Sequence, residues 1–176
     1  EILNALADGI NGADIALGEL INYLKNESEP YMAVFFGDHL PNLSTSDGNS
    51  IYTSLGVSST NTTSEWKSDE LYKMLQTDYV IWTNYEEEKA YPDSTVGATF
   101  FGLNILKRLG FNLTDYYIYL DSVEENLLFY RDRLFVDKDE ECYSTVPDEE
   151  IDVMNNYKTA VRDIIYSDNE VFNINR

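Results

Sequence analysis

A chain of 176 residues and 20.2 kDa is the size of one domain or most of one, and such a chain can bury roughly 70% of its unfolded surface. Its 43% apolar and 14% aromatic content suits a packed core, while 12 basic against 32 acidic residues give a net charge of −20. That charge argues against nucleic acid and disfavours an anionic membrane surface, both of which are bound through clustered Lys and Arg. The single cysteine, Cys142, excludes an internal disulfide and a cysteine-based zinc site.

Residues 12–26 place Ile15, Leu17, Leu20, Ile21 and Leu24 at helical spacing, with Asp14 near the start where it suits the helix dipole. Pro30 ends this helix. Residues 31–36, Tyr-Met-Ala-Val-Phe-Phe, are a continuous apolar run of strand length, the pattern of a strand buried on both faces. A helix, a buried strand and then the polar turn Gly37-Asp38-His39-Leu40-Pro41 read as half of a βαβ unit, and open α/β sheets bind ligands beyond the C-terminal ends of their strands.

Residues 42–65 are dominated by Ser, Thr, Asn, Asp and Gly, which is loop chemistry, and a loop that long is usually mobile or functional. Ser68 and Asp69 read as the N-cap of a short helix through Leu71, Leu75 and Gln76, and residues 79–83 as a second buried strand. After Pro92, with Ser94 or Thr95 as cap, residues 96–109 form a helix stopped by Gly110. Residues 116–130 are predicted as a helix ending at Arg131 and Arg133, residues 136–150 as an acidic, solvated stretch, residues 151–166 as a final helix and residues 168–176 as an extended tail. No stretch approaches the 18 or so apolar residues of a membrane span, so the piece is expected to be soluble. With Glu1 in place of Met and no basic segment leading an apolar run, the chain reads as cut from within a larger protein.

GxxxxGK[ST], GxGxxG, HExxH and GxSxG are all lacking, and one His cannot build a multi-His metal site. Asp38 and His39 remain. Adjacent residues where the pleat breaks at a strand end can both turn toward one ion, and a carboxylate oxygen with an imidazole nitrogen suits Mn²⁺ or Zn²⁺ better than Ca²⁺. Taken without context, an Asp-His pair in a turn is more often a capping or surface feature.

The phrase Val34-Phe35-Phe36-Gly37-Asp38-His39-Leu40-Pro41, preceded by the helix from Ala13 to Lys25, resembles the sulfatase-type members of the alkaline phosphatase superfamily. It is most similar to the lipoteichoic acid synthase and phosphoglycerol transferase branch. There a helix of the form D-x-A-x-G-x-x-I-x-x-L-K leads into a strand ending in F-G-D-H, whose Asp and His bind the catalytic metal. Residues 79–85 and 94–110 resemble the family's later strand and helix, with Thr77-Asp78 where the family has Thr-Pro.

The resemblance implies an α/β fold, the three-layer α/β/α sandwich of alkaline phosphatases in its incomplete C-terminal part, with residues 1–110 as α/β core and residues 111–176 as a helical C-terminal part. It implies Asp38 and His39 as ligands of a divalent metal, Mn²⁺ first, with Zn²⁺, Mg²⁺ or Ca²⁺ as alternatives. In the family a Thr, or a modified Cys or Ser in sulfatases, attacks a phosphorus or sulfur ester, and water or a glycan hydroxyl then takes the group from the enzyme. That nucleophile lies well before the Asp-His motif. Thr45, Thr53, Thr60, Thr62 and Thr63 fall on the wrong side of it, and Cys142 lies downstream in an acidic run that opposes a thiolate.

The implied parent is therefore a membrane-anchored phosphoglycerol or phosphoethanolamine transferase or hydrolase acting on cell-envelope glycans at the extracellular face of a bacterial membrane. Its implied partners are the N-terminal part of the same domain and an anionic phospho- or sulfo-ester, with Arg131 and Arg133 as candidate phosphate contacts. This chain alone is expected to be inactive. The strand at 31–36, deprived of a neighbour, is expected to self-associate. Two rivals stay open: an arylsulfatase relative, and a non-catalytic acidic module that binds a partner protein or Ca²⁺ through its Ser/Thr/Asp loop.

Overall fold

The computed structural model describes residues 2–87, 91 and 93–166. The chain divides into two units, residues 1–66 with 73–93 and residues 67–72 with 94–176. Both are mixed α/β, and among the described residues there are six α-helices, a two-stranded sheet and a three-stranded sheet. No helix among them is long and apolar enough to cross a membrane.

In the first unit, α1 (Ile2–Leu24) begins ten residues ahead of the expected start, because Leu3, Leu6 and Ile10 continue the apolar spacing and outweigh the roughly 1 kcal/mol that each of Gly9 and Gly12 costs a helix. Only Leu24 is buried in α1. Asn84 ties the helix end to the sheet: its amide donates to the carbonyls of Leu24 and Glu29 at 3.2 and 2.9 Å, and its Oδ1 accepts the Tyr31 N–H at 2.7 Å.

β1 (Met32–Phe36) and β2 (Tyr79–Thr83) fall where the apolar runs predicted strands. They pair antiparallel, Val34 opposite Ile81, so the two strands are not the parallel pair of a βαβ unit. Nor is β1 buried on both faces. An apolar run reports that a strand wants cover but not the direction of its neighbour, and among the described residues β1 has one strand beside it, with Phe35 45% and Phe36 56% exposed.

The loop after β1 is more ordered than its composition suggests. It contains the short α2 (Ile51–Ser54), a 3₁₀ turn at Thr63–Glu65 and a bridge between Ser44 and Ser50. Its polar side chains bond to one another: Asn61 links the Ser50 N–H to the Asn49 side chain, Thr53 meets the buried Ser58, and the Trp66 indole donates to the Thr60 carbonyl at 2.7 Å. α3 (Ser68–Leu75) starts one residue away from the expected cap. Ser68 and Asp69 lie in its first turn, and the Glu70 carboxylate reaches back to the Lys67 N–H at 2.9 Å, half of a capping box.

In the second unit, α4 (Ala98–Arg108) starts after Gly97, which takes the cap position instead of Ser94 or Thr95, and Gly110 ends it at φ +71°. α5 (Asp115–Glu124) covers only part of the helix expected over 116–130. The rest is β3 (Leu127–Arg131), paired antiparallel with β4 (Leu134–Asp137), which pairs with β5 (Cys142–Tyr143). Residues 111–176 are thus not helical throughout. The stretch 136–150 is solvated as expected except at its first residue: Val136 is buried with Leu134 and Phe135 in β4, and from Asp137 to Glu150 every residue is exposed or half-exposed.

Asp137 builds that turn by accepting the N–H groups of Asp139 and Glu141, each at 2.9 Å. α6 (Ile151–Tyr166) matches its expected bounds. Phe100, Leu103, Leu120, Val123, Leu127, Phe135 and Met154 form the core of this unit. Pro92 and the tail at 168–176 lie outside the described residues.

Candidate metal centre

The turn at the end of β1 carries both expected ligands on one short segment. Asp38 and His39 follow the last sheet pair, Phe36 with Tyr79, so their side chains are free of the pleat. The Asp38 carboxylate splits its two oxygens: Oδ1 accepts the His39 N–H at 2.9 Å, and Oδ2 lies 3.5 Å from His39 Nε2. His39 Nδ1 is 3.0 Å from the Leu40 carbonyl oxygen. A carbonyl only accepts, so this contact is a hydrogen bond when the proton sits on Nδ1, and in that tautomer the Nε2 lone pair is available to a metal, an arrangement common to metal-binding imidazoles.

Both side chains are about four-fifths exposed, 82% for Asp38 and 77% for His39, so these donors open to solvent rather than to the core. This donor set fits a divalent ion. The 3.5 Å gap between Nε2 and Oδ2 is one that a single ion bound at about 2.0–2.2 Å to each atom can bridge. It supplies two ligands only; among the described residues no group of three or more His, Cys, Asp or Glu could hold an ion.

Gly37 has a spatial reason to be glycine. A Cβ there would stand 3.1 Å from Thr77 Cβ and 3.3 Å from its methyl, and the Thr77 hydroxyl donates to the Gly37 carbonyl at 2.7 Å. At the far end of the turn, the Tyr52 hydroxyl donates to the Pro41 carbonyl at 2.8 Å. Sequence reasoning singled out neither hydroxyl for the site, because both act on backbone carbonyls; Thr77 was noted only in the Thr77-Asp78 pair that stands where the family has Thr-Pro.

The remaining candidates sit elsewhere. Arg131 and Arg133 flank the β3–β4 turn, where Asp132 adopts φ +50°, and are not at a helix end; both belong to the second unit. Cys142 is half-buried, and burial together with Asp69, Glu141, Asp137 and Glu140 pushes its thiol pKa up, which disfavours the nucleophilic thiolate. Thr45 and Thr53 donate to Asp47 and to the Thr60 carbonyl within the loop.

Residues 1–111 match the model of the sulfatase family, a stretch that contains the whole first unit and the Asp38–His39 turn. The chain therefore belongs to the sulfatase family, in the sulfatase/alkaline phosphatase superfamily. Proteins of this family generally use a divalent metal. The chain is also similar to a protein of Rhizobium meliloti (strain 1021) whose name assigns it to cyclic beta-1,2-glucan modification: the two are 30% identical over 131 residues, 72% of this chain. The chain spans only 19% of that relative's length. No solved structure matches.

Proposed function

We propose that this chain is the C-terminal, metal-binding portion of a sulfatase-like transferase or hydrolase that moves phosphoglycerol, phosphoethanolamine or a related group on cell-envelope glycans, with Asp38 and His39 as two of the metal's ligands. The observation that carries the reading is the pair itself: a carboxylate and a free Nε2 held 3.5 Å apart at a strand end, inside the stretch matched by the family. The glucan-modifying relative supports the glycan substrate class. Within the family, the lipoteichoic acid synthase and phosphoglycerol transferase branch is the finer assignment, on the helix, strand and F-G-D-H-L-P phrase that ends in the pair.

In this reading the ion supplies Lewis acidity at the transferred ester and lowers the cost of nucleophile deprotonation. Asp38 contributes a full negative charge to the cation, and His39 presents Nε2 because the Leu40 carbonyl holds the Nδ1 proton on the other side of the ring. A chain of net charge −20 repels an anionic ester, so the positive charge held by this pair is what gives the substrate a local reason to approach. The remaining metal ligands, the Thr-type nucleophile and the further strands of a three-layer α/β/α sandwich come from sequence outside this chain, and the assembled enzyme acts at the extracellular face of a bacterial membrane.

Calorimetry with Mn²⁺ tests this. Two protein ligands should give micromolar affinity or weaker, about 8 kcal/mol at most, and Asp38→Ala or His39→Ala should abolish binding. The chain alone should not turn over aryl phosphate, phosphodiester or sulfate esters. Ca²⁺ binding indifferent to both substitutions would support the acidic binding module instead.

A further inference from the structure

The five-residue turn that carries the pair is held at both ends by hydroxyl groups from other segments of the first unit. Thr77, just ahead of β2, donates to the carbonyl of Gly37 at 2.7 Å, and Tyr52, in α2, donates to the carbonyl of Pro41 at 2.8 Å. The Gly37 N–H closes the first end by donating to the Asp78 carbonyl at 3.2 Å. Between these two anchors lie only Asp38, His39 and Leu40.

We infer that Thr77 and Tyr52 are positioning residues that clamp the Gly37–Pro41 turn and so fix the separation of Asp38 and His39 for metal binding. Each hydroxyl governs a different ligand. The Pro41 carbonyl is one peptide unit beyond the Leu40 carbonyl that faces His39 Nδ1, and the proline ring fixes φ between the two, so by holding the far peptide Tyr52 restrains the neighbouring one that sets the ring's orientation. The Gly37 carbonyl belongs to the peptide entering Asp38, so Thr77 restrains the direction from which the carboxylate leaves the chain.

Neither anchor is loosely held. A Cβ at position 37 would stand 3.1 Å from Thr77 Cβ, so a larger residue there would push the Thr77 side chain off the turn. α2 is braced by the Ile51 N–H on the Leu43 carbonyl at 2.9 Å, by the Val57 N–H on the Tyr52 carbonyl at 2.9 Å and by Asn61 on the Ser50 N–H at 3.0 Å. Through this bracing the Ser/Thr-rich loop carries Tyr52 to the exit of the ligand turn and holds it there. Two solvent-exposed donors with no third partner among the described residues would otherwise lose affinity to rotamer and peptide freedom.

The inference rests on the proposed metal binding by Asp38 and His39, and the test separates the two. Mn²⁺ affinity is measured by calorimetry for the wild-type chain, Tyr52→Phe, Thr77→Val, Thr77→Ser and His39→Ala, with thermal unfolding recorded for each. The chain has one histidine, so the ¹⁵N shifts of the metal-free ring at alkaline pH report His39 alone. Tyr52→Phe and Thr77→Val should each weaken binding about three- to ten-fold, the equilibrium equivalent of one neutral hydrogen bond, while Thr77→Ser stays within about two-fold of wild type.

Tyr52→Phe should also move the ring shifts from one protonated nitrogen toward an averaged pair. Unchanged affinities in both hydroxyl deletions, alongside loss of binding in His39→Ala, would overturn the clamp and leave the metal reading intact. Wild-type binding equal to that of His39→Ala would overturn the metal reading. The clamp would then stand or fall on the ring shifts, and Tyr52→Phe shifts identical to wild type would refute it.

Discussion

Replacing Gly97 with alanine should disrupt the second unit although Gly97 occupies ordinary extended backbone, φ −64° and ψ 138°, that any residue adopts. The obstacle is space. A Cβ at this position would stand 1.9 Å from the Leu128 carbonyl oxygen, 3.1 Å from its carbon and 3.2 Å from Phe100 Cδ2. The first of these is backbone in β3, so no rotamer relieves it, and the start of α4 must separate from the strand by more than about 1 Å. Both sides resist that movement: α4 is anchored by Phe100 and Leu103, and β3 by Leu127 and its pairing with the fully buried β4.

Overpacking of this kind typically costs about 1–3 kcal/mol, and a rigid backbone acceptor puts Gly97→Ala at or above the top of that range. For a unit of this size each kcal/mol lowers Tm by about 4–8 °C. The control has the opposite sign. Gly102 lies inside α4, exposed, with the Tyr117 hydroxyl 3.6 Å from a new Cβ, so Gly102→Ala should raise stability by about 0.5–1 kcal/mol through helix propensity. Urea and thermal unfolding followed by near-ultraviolet circular dichroism of the tyrosines read both. A Gly97→Ala chain as stable as wild type would refute the close-approach argument.

Two further outcomes are expected. Bonds from the Thr45 hydroxyl first, then from its own N–H and the Asn49 side chain, hold the Asp47 carboxyl below its ordinary value of 3.8; the charged form is favoured by the fold, so this contribution to loop order is fully present above that value and lost as the pH falls through the lower folded one. A carbonyl-carbon titration placing Asp47 at or above 3.8 would contradict it. The strand at 31–36, with Phe35, Phe36 and the neighbouring Val80 exposed, should drive concentration-dependent association, stronger at high salt where the −20 charge is screened; a strictly monomeric chain at ~100 μM in sedimentation would refute this.

The elements readable in the sequence were those whose apolar residues keep one period and stop at a clear break. α6 and α4 have helical spacing, and α4 ends at a glycine with positive φ; β1 and β2 are short apolar runs between polar turns. The run from Tyr116 to Arg131 failed that condition. Its apolar and aromatic residues fall mostly in two blocks, 116–120 and 127–130, whose spacing fits a helix and a strand equally, and the boundary between α5 and β3 is marked only by Glu124, Glu125 and Asn126, with no Gly or Pro. β4 was hidden by its neighbours: Leu134, Phe135 and Val136 are too few to outweigh the acidic residues after them, and their burial comes from partners in α5, β3 and α6 that no local window contains.

The site divides along the same line. Asp38 and His39 are adjacent in sequence, and chemistry that needs a carboxylate and an imidazole on one turn leaves a local signature. The groups that hold the turn leave none, because Thr77 and Tyr52 lie 40 and 11 residues from the carbonyls they bond. A carbonyl acceptor is present at every residue, so no pattern of side chains announces which one will be used. Such contacts follow from the antiparallel return of β2 beside β1, which brings Thr77 to Gly37 by continuing the register past the Phe36–Tyr79 pair, and from the loop folding back through α2. A parallel β2 would enter the sheet beside Met32 and leave Thr77 at the opposite end of β1 from the ligands. The antiparallel pairing that departed from the expected βαβ unit is thus what supplies the metal turn with one of its two anchors.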